Sequence, residues 1–300
     1  MKSVSITVGI PAHNEAANIK QLLQSLLDQV LLSATLQEII VIADGCTDNT
    51  PNLAKSMPDP RIQVIHHSVR KGKSFSQNEI VGLAKGDILV LLDGDVLPLG
   101  TQFLETIIQP ILFDPEVGLV GADTMCASPE TFIECVLAES HRFKTAFYRT
   151  LRGGNNLYLC HGRARAFSHR FYAELSWPEQ CPEDAYSYLI CLQKNFKFVY
   201  TPKAPIVFRS PQTIGDQFKQ SDRFVLERKH MVKSYPSDLA RREYFIPPLC
   251  FISAAMKSLI KHPILIGAYL ALTACGRLII LFSHWYDHSR YQPSISTKRV

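Results

Sequence analysis

The chain has 300 residues, 46% of them hydrophobic, with 32 Lys and Arg against 27 Asp and Glu and a net charge of +5. That length and apolar fraction suit one large domain, or one domain with an appendage. A charge so evenly mixed, with no basic stripe interleaved with aromatics, excludes a nucleic-acid polymer as the expected partner.

Taken in chain order, residues 4–10 form an apolar run that predicts a first strand, ended by Pro11. Asn14 is placed to cap a helix from Glu15 to about Leu32. No basic segment with a long apolar stretch precedes that strand, so no signal peptide is expected. Residues 38–43 predict a second strand, closed by Asp44-Gly45, and 48–55 a short helix. Residues 61–66 predict a third strand. Ser74 is placed to cap a helix over 75–84, which Lys85-Gly86-Asp87 breaks before a fourth strand at 88–92. Strands that alternate with helices at this spacing imply parallel pairing, and their near-continuous apolar character implies a sheet covered on both faces. Further on, the patterns predict a helix at 101–112, a strand at 117–122, a long helix at 129–151, strand and turn at 155–167, a helix at 184–193 and extended chain at 196–200.

The last part differs. Residues 245–260 and 264–282 are apolar, the second broken only by Arg277. The second is near the length of about 20 residues that a bilayer crossing takes, the first short of it. Three readings stay open: a membrane-crossing hairpin with both ends cytoplasmic, helices lying in the interface, or a buried helical pair. The eight cysteines carry no Cys-x-x-Cys pair and no zinc spacing. They read as small buried hydrophobes in a reducing compartment, which puts the catalytic part in the cytoplasm.

The chemistry gathers at predicted strand ends. Asp93-Gly94-Asp95 follows the apolar run 88–92. In an extended segment, residues i and i+2 point the same way, so both carboxylates can converge on a hard cation such as Mg²⁺ or Mn²⁺. Pro11-Ala12-His13-Asn14-Glu15 follows the first strand, the Asp44-Gly45 turn the second, and Arg70-Lys71-Gly72-Lys73 the third. Ligands of an open α/β sheet bind beyond the carboxyl ends of its strands, so these segments predict one pocket. Gly72-Lys73-Ser74 is not a Walker A loop, because His67 stands where that motif needs its first glycine. Downstream lie Glu183-Asp184 and Gln220-Ser221-Asp222-Arg223-Phe224.

Together and in this order, these motifs resemble the family-2 inverting glycosyltransferases over about residues 4–225. The resemblance implies an α/β, mostly parallel Rossmann-like sheet of the glycosyltransferase-A fold, flanked by helices, with a C-terminal apolar helical segment. It implies nucleotide-sugar binding by Pro11, Ala12, Glu15, Asp44, Lys73 and Asp93, and a divalent cation, Mn²⁺ or Mg²⁺, on Asp95 and Asp93. It implies Asp184 as the general base. Gln220, Arg223 and Phe224 resemble the Gln-x-x-Arg-Trp motif of membrane polysaccharide synthases and would meet the acceptor or the diphosphate, with Phe in place of Trp. The Gly162-Arg163 segment stands where relatives place an acceptor loop. Two departures matter: the acidic turn carries one aspartate where many relatives carry two, and the apolar end is too short for a processive channel.

The implied protein is a hexosyl- or N-acetylhexosaminyl-transferase at the cytoplasmic face of the plasma (inner) membrane. It would move a sugar from a nucleotide diphosphate donor, with UDP the expected nucleotide, to a lipid-linked or polysaccharide acceptor. The implied layout is a catalytic domain over 1–225, with a nucleotide-binding half to about 100 and an acceptor half beyond it. A basic linker over 226–244 and a membrane-associated helical segment and tail over 245–300 follow. Two other readings stand beside it. A sugar-1-phosphate nucleotidyltransferase would open with a glycine-rich loop, where this chain has Pro11-Ala12-His13-Asn14. A membrane-associated binding protein would keep the fold without activity.

Overall fold

The computed structural model describes residues 3–179, 181–234, 237–282 and 297–298. Four strands, β1 (Val4–Ala12), β2 (Ala34–Asp44), β3 (Ile62–His67) and β4 (Ile88–Leu92), pair in parallel in the order β3-β2-β1-β4. Every residue of β4 and the last seven of β2 are buried, as a sheet covered on both faces requires. The connecting helices are α1 (Ile19–Leu27), α2 (Thr50–Lys55) and α3 (Lys73–Leu83). In α1, Ile19, Leu22, Leu23 and Leu26 repeat at the helical spacing and are all buried.

The sheet continues through β5 (Val96–Pro98), β6 (Val117–Cys126), β7 (Ala164–Ser168) and β8 (Lys197–Phe208), extending the order to β4-β7-β6-β8-β5. Here β7 runs antiparallel to β4 and to β6, and β5 antiparallel to β8. Reversing β7 brings its amino end beside the carboxyl end of β4. Helix α4 (Phe103–Phe113) packs on β8, followed later by the short α6 (His169–Tyr172) and by α7 (Glu183–Gln193). Helix α5 (Phe132–Thr150) starts on a capping box in which Thr131 and Glu134 satisfy each other's backbone N–H groups.

Several predicted boundaries move, each for a local reason. Pro11 stays inside β1, opposite Ile42. The β1–β4 pairing ends at Gly9, so the missing N–H of Pro11 removes no bond on the β4 side. Asn14 does not cap α1. Its backbone is left-handed, φ +57°, and its carboxamide bridges to Thr47, accepting from the Thr47 N–H at 2.8 Å. That side chain is engaged elsewhere, so α1 begins only at Ile19, after Asn18. Helix α3 begins at Lys73 rather than after Ser74. The three residues of β5 are too few for a period-2 pattern to reveal them.

The chain divides into two compact units: residues 1–125, 154–208 and 298–300 form one, and 126–153 with 209–297 form the other. The first holds the sheet. Helix α5, which falls within the expected catalytic stretch, groups with α8 (Ile214–Ser234), α9 (Ser237–Glu243), α10 (Pro248–Lys261) and α11 (Pro263–Phe282). Inside this second unit α11 packs against α5, α8 and α10, and Arg209 pairs with Glu134 at 2.8 Å. Among the described residues no helix is long and apolar enough to cross a membrane. The crossing hairpin is therefore not found there. Helix α10 has 14 residues and carries Lys257 and Lys261, and α11 is interrupted by Thr273, Gly276 and Arg277. Helix α10 buries none of its residues, so it is not half of a buried pair either. The expected tail over 283–296 lies outside the described residues.

Candidate functional site

The site is built at the carboxyl ends of β1, β2 and β4 and the amino end of β7. Leu92 faces Ala164 in register, and one step on the Asp93 N–H donates to the Arg163 carbonyl at 2.9 Å. The Gly162-Arg163 segment is thereby fastened beside the paired aspartates.

Asp44 closes β2. Its carboxylate accepts the backbone N–H groups of Lys71 and Gly72, each at 2.7 Å, and its carbonyl accepts from His13 Nδ1 at 2.7 Å. One residue, through its carboxylate and its carbonyl, therefore ties the end of β2 to the segments after β1 and β3. Gly45 must be glycine: its φ is +58°, and a Cβ there would lie 2.5 Å from the Arg70 backbone nitrogen. Pro11 and Ala12 pair with Ile42 and Ala43 immediately before this turn. The Lys71 ammonium lies 4.3 Å from the centre of the Phe75 ring, while Lys73 turns to the aspartates.

Glu15 is 3% exposed. Its N–H donates to Thr50 Oγ1 at 2.7 Å, and its carboxylate accepts from Asn18 Nδ2 at 3.2 Å and from the Lys298 ammonium. Lys298 also donates to the His13 carbonyl at 3.2 Å. Burial pushes the Glu15 carboxyl up to about 7, the Asp95 charge adds to the push, and Lys298 and Asn18 pull back. A carboxyl raised by folding binds its proton more tightly in the native state. The native state is therefore favoured at low pH and loses about 3 kcal/mol as pH rises from 4.5 to about 7. In metal-free protein, Glu15→Gln is expected to remove that decline, so that the variant gains on the parent between pH 5 and 7.5 in urea titrations. Parallel pH profiles would contradict the assignment.

Asp93 leaves the end of β4 and Asp95 precedes β5, with a turn between them rather than the extended geometry expected. Gly94 lets Glu15 pack closely against this turn: a Cβ there would meet Glu15 Cγ at 2.7 Å. Lys73 Nζ sits 2.7 Å from Asp93 Oδ1. Desolvation pulls the Lys73 ammonium down, but Asp93 and then Glu183 outweigh it and lift it above its ordinary value. Asp95 is raised by desolvation and then by the Asp93 charge, against Lys298, Arg163 and Lys73. Among the described residues no group of three or more His, Cys, Asp or Glu side chains is arranged to hold a metal. Two carboxylates are nonetheless a fitting donor set. They offer hard oxygen ligands whose mutual repulsion a divalent cation relieves, and Mg²⁺-like ions take one or two carboxylates with phosphate oxygens completing the shell.

Asp184 is the second residue of α7, in a first turn that also carries Glu183. Its Oδ1 accepts the Ala185 N–H at 2.7 Å. A methyl group placed on Gly162 would lie 3.8 Å from Asp184 Oδ2 and 3.5 Å from Lys73 Nζ. The structure thus brings Lys73, with its partner Asp93, and Asp184 together at Gly162, while Asp95 feels the charges of Asp93, Arg163 and Lys73, and Glu15 and Asp44 stand on the side of β1 and β2. Gln220, Arg223 and Phe224 lie on α8 of the second unit. There Arg223 pairs with Glu227 at 3.2 Å and its guanidinium stands 5.3 Å from the half-exposed Phe224 ring.

Sequence reasoning missed three site residues. His13 lay inside a motif already singled out, but its bond to Asp44 needs the fold. Lys298 is more than 280 positions from Glu15 and leaves no local signal. Arg165 falls in a stretch read only as strand and turn; a lone arginine between Ala164 and Ala166-Phe167 is the signal available.

The sequence profile of glycosyl transferase family 2 matches residues 7–175. Glycosyltransferase AglD of Haloferax volcanii is 32% identical over 112 residues, 36% of this chain and 18% of that protein. The 4,4'-diaponeurosporenoate glycosyltransferase of Staphylococcus aureus is 32% identical over 119 residues, 39% of this chain and 31% of that protein. The chain thus spans less than a third of the length of these curated relatives. Among solved structures, a mannosyltransferase of Pyrobaculum calidifontis in complex with GDP-Man and Mn²⁺ superposes with a TM-score of 0.60 at 20% identity, over 93% of this chain and 82% of that one. Glucosyl-3-phosphoglycerate synthase of Mycobacterium tuberculosis, with Mn²⁺, UDP and phosphoglyceric acid, gives 0.55 at 18% identity, over 75% and 77%. The fold is that of the glycosyltransferase-A proteins.

Proposed function

The chain belongs to glycosyl transferase family 2, and we propose that it transfers a sugar, with inversion, from a nucleotide diphosphate donor to a hydroxyl of a lipid-linked or polysaccharide acceptor. The observation that carries this reading is the convergence on Gly162 of Lys73, which pairs with Asp93, and of the Asp184 carboxylate. A diphosphate needs concentrated positive charge, and an attacking hydroxyl needs a carboxylate on the opposite face of the sugar. Lys73 offers an ammonium and Asp184 a carboxylate, both beside Gly162 in the sheet unit.

Roles follow from position. Asp44, Pro11, Ala12 and Glu15 line the end formed by β1 and β2, where an open sheet receives a nucleotide. Lys73 places its ammonium at the diphosphate. Asp95 and Asp93 would hold a divalent cation, which would supply Lewis acidity at the diphosphate. Asp184 Oδ2 takes the proton of the acceptor hydroxyl as the new glycosidic bond forms and the bond to the diphosphate breaks. UDP-sugars are the first donors to test. In the second unit, Gln220, Arg223 and Phe224 are the candidates for acceptor contacts.

A membrane surface is the proposed setting, with the catalytic unit on the cytoplasmic side. Leu249, Ile252, Met256 and Ile260 of α10 and Ile264 of α11 are exposed, with Lys257 and Lys261 among them. Apolar side chains interspersed with lysines suit a helix lying in the interface, near lipid-linked acceptors.

The test is a panel of nucleotide sugars incubated with the protein, with and without Mn²⁺, and scored for release of the nucleoside diphosphate. Release confined to one donor class and dependent on Mn²⁺ is the expected result. Pyrophosphate release from a nucleoside triphosphate and a sugar 1-phosphate would replace this reading with nucleotidyl transfer.

A further inference from the structure

Arg165 lies in the middle of the sheet, on β7, flanked in register by Leu91 of β4 and Gly121 of β6. It is 0% exposed, its guanidinium stands 5.4 Å from the centre of the Phe167 ring, and no carboxylate pairs with it among the described residues. Its Nη1 donates to the Glu183 carbonyl at 2.9 Å and to Ser187 Oγ at 2.7 Å, while Nε and Nη2 find no acceptor among the described residues. A guanidinium buried without a counter-charge is expensive in a low dielectric.

Its hydrogen bonds do not account for that expense. Trp177 Nε1 donates to the same two acceptors, at 3.1 Å to the Glu183 carbonyl and 3.0 Å to Ser187 Oγ. Ser187 Oγ itself donates to that carbonyl at 2.5 Å. With Arg165 replaced by a neutral chain of similar length, no acceptor there would be left unmet. What Arg165 adds is a charged, rigid strut at one place. It joins the strand that follows Gly162 and Arg163 to the residue immediately before Asp184. Strand β7 also pairs with β4, which delivers Asp93. The charge is felt at Lys73, the partner of Asp93.

We propose that Arg165 is a positioning residue that fixes the first turn of α7 to β7, and so sets the separation between the donor-binding aspartates and Asp184. This rests on Asp184 being the base. It assigns a functional role to a residue that does not itself reach substrate. Misplacing a reacting group by about 1 Å can cost about 100-fold in rate.

The experiment compares Arg165→Met, Arg165→Lys, Trp177→Phe and Asp184→Asn in the full chain, by thermal melting and steady-state transfer kinetics. Arg165→Met is expected to melt no lower than the parent, because a buried unpaired charge has been removed. Its kcat should fall about 100-fold while the donor KM stays within about twofold, the signature of lost alignment rather than lost binding. Arg165→Lys should recover part of kcat, and Trp177→Phe should stay within about threefold of the parent. A folded Arg165→Met within about threefold of the parent kcat would overturn the proposal. Should that variant not fold, equal losses in Arg165→Lys and Trp177→Phe would overturn it, since any donor to Glu183 would then serve. An active Asp184→Asn would instead remove the base assignment, whatever Arg165 does.

Discussion

Asp184→Asn is expected to lower kcat by about 10³-fold, within the 10²- to 10⁴-fold contribution of a general base, and to leave the melting temperature unchanged. The substitution is nearly isosteric. An asparagine carbonyl can still accept the Ala185 N–H that Oδ1 now accepts at 2.7 Å, so the first turn of α7 keeps its local bond. Asp184 is only half buried and is not needed to fill the core. What disappears is the basic oxygen turned toward Gly162. Without it, the acceptor hydroxyl must lose its proton to water or attack while protonated. The donor site involves other residues, so the donor KM should hold, and a loss in kcat alone identifies an interaction made in the transition state. Steady-state transfer kinetics on a folded variant check this. A kcat within tenfold of the parent would remove Asp184 from the mechanism.

The second large effect falls on the cation site. Asp95→Asn is expected to abolish the Mn²⁺-dependent gain in UDP affinity and to lower kcat/KM by about 10³-fold, in line with the several kcal/mol a Lewis-acid cation contributes. The apo variant should be as stable as the parent or more so. Asp95 is raised by desolvation and by Asp93 beside it, which means the carboxylate pair is strained without a cation. Removing one charge relieves that strain and removes the ligand together. A purely structural aspartate would show the reverse, a loss of stability with binding retained. Calorimetric titration of UDP, with Mn²⁺ and with EDTA, separates the two outcomes.

The parallel half of the fold was legible because its signals are local. The continuous apolar runs of β2 and β4, and turn residues at their ends, locate strands without knowledge of their neighbours. Asp44, Asp93 and Asp95 were legible for the same reason, standing at strand ends where such sheets bind ligands. Less was legible where a residue's environment is set by distant chain. Asn14 has the chemistry of a helix cap, but Thr47 captures its side chain. The apolar segments 245–260 and 264–282 have the composition of membrane spans, yet length and interruption in α10 and α11 decide against crossing among the described residues. The antiparallel turn of β7, which sets Arg163 against Asp93, follows from which strands pair and not from the sequence of β7. Lys298 at Glu15 and Arg165 beneath Glu183 are products of tertiary contact alone.

One measurement bears on the central claim more directly than any other: a crystal structure of the protein soaked with UDP and Mn²⁺, with the manganese located by anomalous scattering. The account predicts a single manganese peak bound by Asp95 and the diphosphate, Lys73 reaching a phosphate oxygen, and Asp184 across Gly162 with its carboxylate open to an incoming hydroxyl. Manganese and UDP bound away from Asp93 and Asp95, or a diphosphate with no path to Asp184, would contradict it.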